Sequence, residues 1–120
     1  MTAPQQVRRK EAILGGTFDP IHNGHLRLAL ELKQTLQLDR MSLMPCYRPV
    51  HRDNPGAPAE MRAEMVRLAI ADCPQLMLDE RELQRDRPSY TFDTLYDIRA
   101  EVGPDVSLIW VVGMDAFVQL

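Results

Sequence analysis

The sequence predicts an α/β fold: a Rossmann-like parallel sheet with helices on both faces. Three observations carry that expectation. Short apolar runs alternate with longer stretches of helical periodicity, giving the order β-α-β-α-β-α-β. The connection from Leu14 to Met41 is long enough for a parallel crossover, which should be right-handed. Finally, the segments richest in polar chemistry each follow a strand end or open a helix, where ligands of such folds lie.

The first strand is Ala12-Ile13-Leu14, bounded by charge on one side and Gly15 on the other. A helix is expected from about 25 to 37, with Leu26, Ala29, Leu30 and Leu36 at helical spacing and leucines at 28, 32 and 38 widening the apolar face. Met41-Ser42-Leu43-Met44 reads as the second strand, ending at Pro45. Pro49, Pro55, Gly56 and Pro58 make the next stretch a loop. Residues 58–72 form the second helix, with Met61, Met65, Leu68 and Ala69 inward, Val66 and Ile70 extending that stripe, and Glu60, Glu64 and Arg67 outward. Arg62 falls inside the apolar arc, so its stem is expected to pack and its head group to snorkel out.

Leu76-Met77-Leu78 is the third strand, and the charged stretch 79–87 reads as a solvated loop or short helical turn. A third helix then opens with Ser89 or Thr91 as N-cap and turns Leu95, Ile98 and Val102 inward, until Gly103-Pro104 stops it. The β-branched and aromatic run 107–112 is the clearest strand and should be central and buried. Gly113-Met114-Asp115 turns out of it into a further helix.

Composition bounds the function. A 120-residue chain is one domain or part of one, with 45% hydrophobic and 26% charged residues. A net charge of −3 argues against nucleic acid as a partner, though not against small phosphorylated ligands. No apolar run approaches membrane length, and residues 1–10 lack the apolar core of a secretory signal. Arg8-Arg9-Lys10 reads as part of a flexible, solvated lead-in over 1–10, with the folded domain at 11–120. Cys46 and Cys73 are not in a C-x-x-C arrangement and are too few for a disulfide framework, which fits reduced thiols and a cytoplasmic location.

The stretch that organises the rest is Gly15-Gly16-Thr17-Phe18-Asp19-Pro20-Ile21-His22-Asn23-Gly24-His25. A strand, a glycine turn and a helix start in that order form an anion-binding device of backbone N–H groups and helix dipole. The glycines let the backbone approach a phosphate, and His22 and His25 add N–H donors on one side of a helical turn, with Gly24 keeping the surface between them open. Two other readings stand beside this one: metal chelation by the two histidines, with Asp19 as the only nearby further ligand, or plain capping and packing. The stretch is neither a Walker loop nor a G-x-G-x-x-G fingerprint.

The whole run from Gly15 to His25 resembles the signature of the HxGH nucleotidyltransferases, and within them is most similar to bacterial nicotinate-nucleotide adenylyltransferases. Other segments share the resemblance. Pro49-Val50-His51-Arg52 stands where that family has Pro-Pro-His-Lys, so one proline is lost and arginine replaces lysine. Read without the resemblance, this is a proline-stiffened polar loop. Ser89-Tyr90-Thr91-Phe92-Asp93-Thr94-Leu95 resembles the family's segment that receives the pyridine ring and its carboxylate, where the alternative is ordinary helix capping. Gly113-Met114-Asp115 resembles its Gly-x-Asp, placing Asp115 at a ribose or simply at a helix cap.

The resemblance implies adenylyl transfer from ATP to nicotinate mononucleotide, giving nicotinate adenine dinucleotide and pyrophosphate in NAD biosynthesis. His22 and His25 would be catalytic, meeting the ATP phosphates. Gly15, Gly16, Thr17, Phe18, Arg52, Gly113 and Asp115 would complete the ATP site, and Ser89, Tyr90 and Thr91 would receive the mononucleotide. Mg²⁺ would ride on the ATP phosphates, held by substrate and water rather than by protein ligands. A homo-oligomer is compatible with this reading. Other HxGH enzymes (phosphopantetheine adenylyl- or cytidylyltransferases) and a non-catalytic nucleotide-binding fragment are the competing functions. Relatives of this kind continue past residue 120 with a Trp-containing segment and a basic Ser/Thr-rich motif. The chain therefore reads as the N-terminal part of one nucleotidyltransferase domain, and as such is expected to be marginally stable or self-associating, with very low activity.

Overall fold

The computed structural model describes residues 8–47, 56–85 and 90–112. Its elements run β1 (Arg9–Gly16), α1 (Asn23–Thr35), β2 (Arg40–Pro45), α2 (Ala59–Ala69), β3 (Leu76–Leu78), α3 (Arg81–Gln84), α4 (Thr91–Val102) and β4 (Val106–Val111). The four strands form one parallel sheet in the order β3-β2-β1-β4. β1 takes in Arg9 and Lys10, which the sequence reading placed in the lead-in, and the Lys10 N–H donates to the Asp39 carboxylate at 2.8 Å. Pro45 ends β2 as expected, but as a paired residue opposite Gly16. A missing N–H is tolerated there because the next residue, Cys46, donates to the Gly16 carbonyl at 2.8 Å.

The two-residue period of the strands sorts the core into two layers. Ala12 and Leu14 of β1, with Met41 and Leu43 of β2, face a layer closed by Ala29 of α1 and Val66 of α2. Ile13 and Met44 face the other layer, closed by Ile98 and Val102 of α4 with Leu108 and Trp110 of β4. Helices therefore cover both faces, as the strand–helix alternation predicts. Met41, Leu43 and Val66 are fully buried, and truncating such a side chain costs about 2–5 kcal/mol.

The ends of the elements follow local chemistry. α1 stops where Gln37 adopts a left-handed backbone (φ 54°) and the Leu38 N–H returns to the Lys33 carbonyl. α4 stops at Gly103 (φ 85°), and Arg99 donates to the Gly103 and Val106 carbonyls just beyond. None of the described helices is long and apolar enough to cross a membrane.

Four expectations need correction. β4 is not central: among the described strands it lies at the edge beside β1, and only Val106 is fully enclosed, because its other side has no described neighbour. α2 is rotated from the expected stripe. Arg62, Ala63 and Val66 are its buried residues, whereas Met61 and Leu68 are exposed. The Arg62 head group does not snorkel; it is fully buried, for reasons taken up below. Thr91 is the first residue of α4 rather than its cap. Tyr90 occupies the cap position and makes no side-chain capping bond, while Ser89 lies outside the described residues.

The charged stretch after β3 does contain a short helical turn, α3, but not a wholly solvated one. Glu82 is buried and accepts from Thr94 Oγ1 at 2.9 Å, and Arg85 donates to the same hydroxyl at 3.1 Å. This network ties α3 to α4.

Candidate functional site

β1 and β2 end side by side, so the segments that follow them emerge at one edge of the sheet. β4 ends level with Leu14 at the same edge. The segment after β1 is the glycine- and histidine-bearing loop, and its conformation is set largely by aromatic rings. A methyl group on Gly15 would lie 3.2 Å from the Trp110 ring, and one on Gly16 would lie 3.2 Å from the Phe18 ring. The space that these glycines leave is therefore filled by protein side chains. Phe18 is buried and carries φ 51°, an uncommon backbone for a residue with a side chain.

The Phe18 ring stands edge-on to His25, with centroids 5.0 Å apart. His25 in turn stacks on His22 at 3.8 Å. His22 is the N-cap of α1, and the two histidines form a reciprocal capping arrangement. The Gly24 N–H donates to His22 Nδ1 and the His22 N–H donates to His25 Nδ1, each at 3.1 Å. Gly24 serves this arrangement directly, since a Cβ there would sit 2.9 Å from the His22 ring.

Those two bonds settle the tautomers. A backbone N–H can only donate, so both Nδ1 atoms carry lone pairs and each neutral ring holds its proton on Nε2. The site thus presents two Nε2–H donors. The pKa of His25 is lowered, first by burial and second by the repulsion that a protonated His22 would add, which favours the neutral ring. The helix amides contribute less directly than the sequence suggests. The N–H groups of Gly24, His25 and Leu26 are all spent on His22, the last two on its carbonyl at 3.0 and 3.3 Å. Of the three, only the Gly24 amide reaches the His22 ring, and through it the positive end of α1 polarises that imidazole.

In this geometry the two imidazoles turn their Nδ1 lone pairs toward backbone N–H groups. With protons on both Nε2 atoms, neither ring offers a lone pair outward. The Asp19 carboxylate accepts the Ala57 N–H at 3.0 Å. Among the described residues no group of three or more His, Cys, Asp or Glu could hold a metal ion.

Beneath the loop lies the residue that the sequence reading misassigned. Arg62 Nη1 donates to the Thr17 carbonyl at 2.8 Å and to the Cys46 carbonyl at 2.9 Å, and Nε donates to the Ala57 carbonyl at 3.2 Å. Thr17 Oγ1 also lies 3.6 Å from Cys46 Sγ. The ends of β1 and β2 and the approach to α2 are thus tied together by one guanidinium. The signal in the sequence was an arginine at an apolar helix position, which has a buried reading as well as a snorkelling one.

The structure brings Gly15, Gly16, Thr17, Phe18, His22 and His25 together. Tyr90 and Thr91 sit at the start of α4, which covers the opposite face from α1. Arg52, Ser89, Gly113 and Asp115 lie outside the described residues.

A parallel sheet whose first strand runs through a glycine loop into a histidine-capped helix defines a class, and the sequence profile agrees. The chain belongs to the cytidylyltransferase-like family, whose profile matches residues 13–120. Among its relatives is a protein of Cellvibrio japonicus (strain Ueda107) named "Probable nicotinate-nucleotide adenylyltransferase", 59% identical over 95% of this chain and 54% of its own. A protein of Pseudomonas putida (strain W619) with the same name is 53% identical over 98% of this chain and 53% of its own. The chain spans about half the length of the curated relatives it matches. A solved structure of Plasmodium falciparum nicotinic acid mononucleotide adenylyltransferase complexed with NaAD superposes with a TM-score of 0.71. It covers 92% of this chain and 55% of the other at 19% identity, a likeness of fold.

Proposed function

We propose that this chain carries the nucleotide-binding part of an ATP-dependent nicotinate-nucleotide adenylyltransferase acting in NAD biosynthesis. The observation that carries the reading is the pair of stacked, neutral imidazoles whose Nε2–H groups point away from their backbone-bonded Nδ1 atoms. Two fixed donors at a helix start suit the oxygens of a polyphosphate. The names of relatives at 53–59% identity support the choice of pyridine mononucleotide as acceptor.

In this reaction a 5′-phosphate oxygen of nicotinate mononucleotide attacks the α-phosphorus of ATP in line, and pyrophosphate leaves. The nucleophile is already anionic, so no general base or covalent intermediate is required. The work of the protein is orientation and stabilisation of charge on the transferring group. His22 and His25 donate to the phosphate oxygens, while Gly15, Gly16, Thr17 and Phe18 shape the loop beneath the nucleotide. On this reading Arg52 serves the leaving group, Gly113 belongs to the ATP site, Asp115 serves the ribose, and Ser89, Tyr90 and Thr91 receive the acid mononucleotide. Mg²⁺ would ride on the nucleotide phosphates, held mainly by substrate and water, and would neutralise charge there while the two imidazoles donate beside it.

The test is to incubate the chain with ATP, Mg²⁺ and nicotinate mononucleotide and to look for the dinucleotide by mass. The family also includes cytidylyltransferase-like proteins by name, so a parallel reaction with CTP decides the nucleotide. Product from ATP supports the proposal. Product from CTP alone replaces it with a cytidylyltransferase, and a chain that neither binds ATP nor forms product overturns it.

A further inference from the structure

We propose that Arg62 is a positioning residue for nucleotide binding, setting the geometry of the histidine loop from beneath; this rests on the ATP reading above. Arg62 belongs to α2, outside the loop, yet its fully buried guanidinium reaches carbonyls of three separate segments. A planar fork can bridge such a set, whereas an ammonium concentrates its donors at one point. Simple core filling does not account for it. α2 leaves Met61 and Leu68 in solvent while turning an arginine inward, although burying a cation is costly unless its partners matter.

The partner that matters most is Thr17. Its carbonyl belongs to the peptide plane that joins Thr17 to Phe18, so rotating that plane changes the ψ of Thr17 and the φ of Phe18 together. Phe18 holds φ 51°, which a side-chain-bearing residue keeps only when its surroundings enforce it. The bond from Arg62 to the Thr17 carbonyl, at 2.8 Å, is such an enforcement. The Phe18 ring then fills the space left by Gly16 and stands against His25, which stacks on His22. Arg62 thus fixes where the two Nε2–H donors point without touching the nucleotide.

The test compares Arg62→Lys with Val66→Ala, a neighbouring core truncation on the same helix. Melting temperature, imidazole ¹⁵N spectra and ATP affinity are measured on the full chain. Both variants should fold and melt earlier than the wild type. Arg62→Lys should weaken ATP binding by about tenfold, within the range that small misplacements of a site cause. It should also shift the His25 resonances, and Val66→Ala should do neither. An Arg62→Lys chain with wild-type ATP affinity overturns the proposal, and one that does not fold assigns the arginine to the core and overturns it too. A wild-type chain that binds no ATP removes the functional reading instead. The spectra then decide the positioning role, which fails if Arg62→Lys leaves both imidazoles unchanged.

Discussion

The rings of His22 and His25 stack at 3.8 Å, and each has its Nδ1 closed by a backbone N–H. The capping nitrogens and the outward Nε2 atoms are therefore opposite atoms of the same rings, so mutations can separate capping from the phosphate role proposed for Nε2.

Replacing His22 by Ala removes both roles. Turnover should fall by about 10²-fold or more, as for the loss of one fixed donor to a developing charge. The lost cap should cost about 1 kcal/mol. His22→Asn should recover most of the stability, because asparagine is a good N-cap, but not the turnover. Thermal melts and product assays on the two variants check this, and recovery of turnover in His22→Asn would count against the phosphate role.

The lowered pKa of His25 makes stability depend on pH. The unfolded chain binds a proton near the ordinary imidazole value of about 6.5, and the folded chain only at lower pH. Between those two values the unfolded state holds more protons, so the stability contribution present above 6.5 is lost as pH falls through the folded value. Melting temperature should drop as pH falls below about 6.5. The drop should be smaller in His25→Gln, measured by melts from pH 8 to 5.

Glu82 carries the opposite sign. Burial raises its pKa, assisted by the charge of Asp79 and opposed by the Thr94 hydroxyl and the Arg85 charge. The folded state therefore favours the protonated form, and ionising Glu82 above the ordinary carboxyl range destabilises it. Glu82→Gln retains an acceptor for Thr94. It should raise the melting temperature at pH 7 and leave it nearly unchanged at pH 4.

Gly15→Ala tests the packing of the loop. Its new methyl group meets the Trp110 ring at 3.2 Å, tighter than ordinary contact. Overpacking of this kind costs about 1–3 kcal/mol. Trp110 is the only tryptophan, so its fluorescence should report the displacement directly. An unshifted emission spectrum with unchanged melting would mean that the ring has room to spare.

The strands were legible in the sequence because apolar runs such as Met41-Ser42-Leu43-Met44 are hard to place elsewhere, and β3 falls where it was expected. The position of β4 was not legible, since a β-branched run reports burial preference and not which neighbours it finds. The face of α2 was misread for a physical reason: hydrophobicity ranks Met61 and Leu68 above Arg62, whereas carbonyls at the ends of two strands required a buried donor. The histidines were identified by type and spacing. Their tautomers, the spending of the helix amides on His22 and the backbone of Phe18 are three-dimensional facts that residue order does not encode.

The central claim, that two neutral histidines offer Nε2–H to nucleotide phosphates, is tested most directly by imidazole ¹⁵N spectra recorded while ATP is titrated in. Both rings should show the Nε2–H tautomer at neutral pH in the free chain, and both Nε2 resonances should move saturably with ATP. A proton on Nδ1 in either ring, or Nε2 resonances that do not respond to ATP, would contradict it.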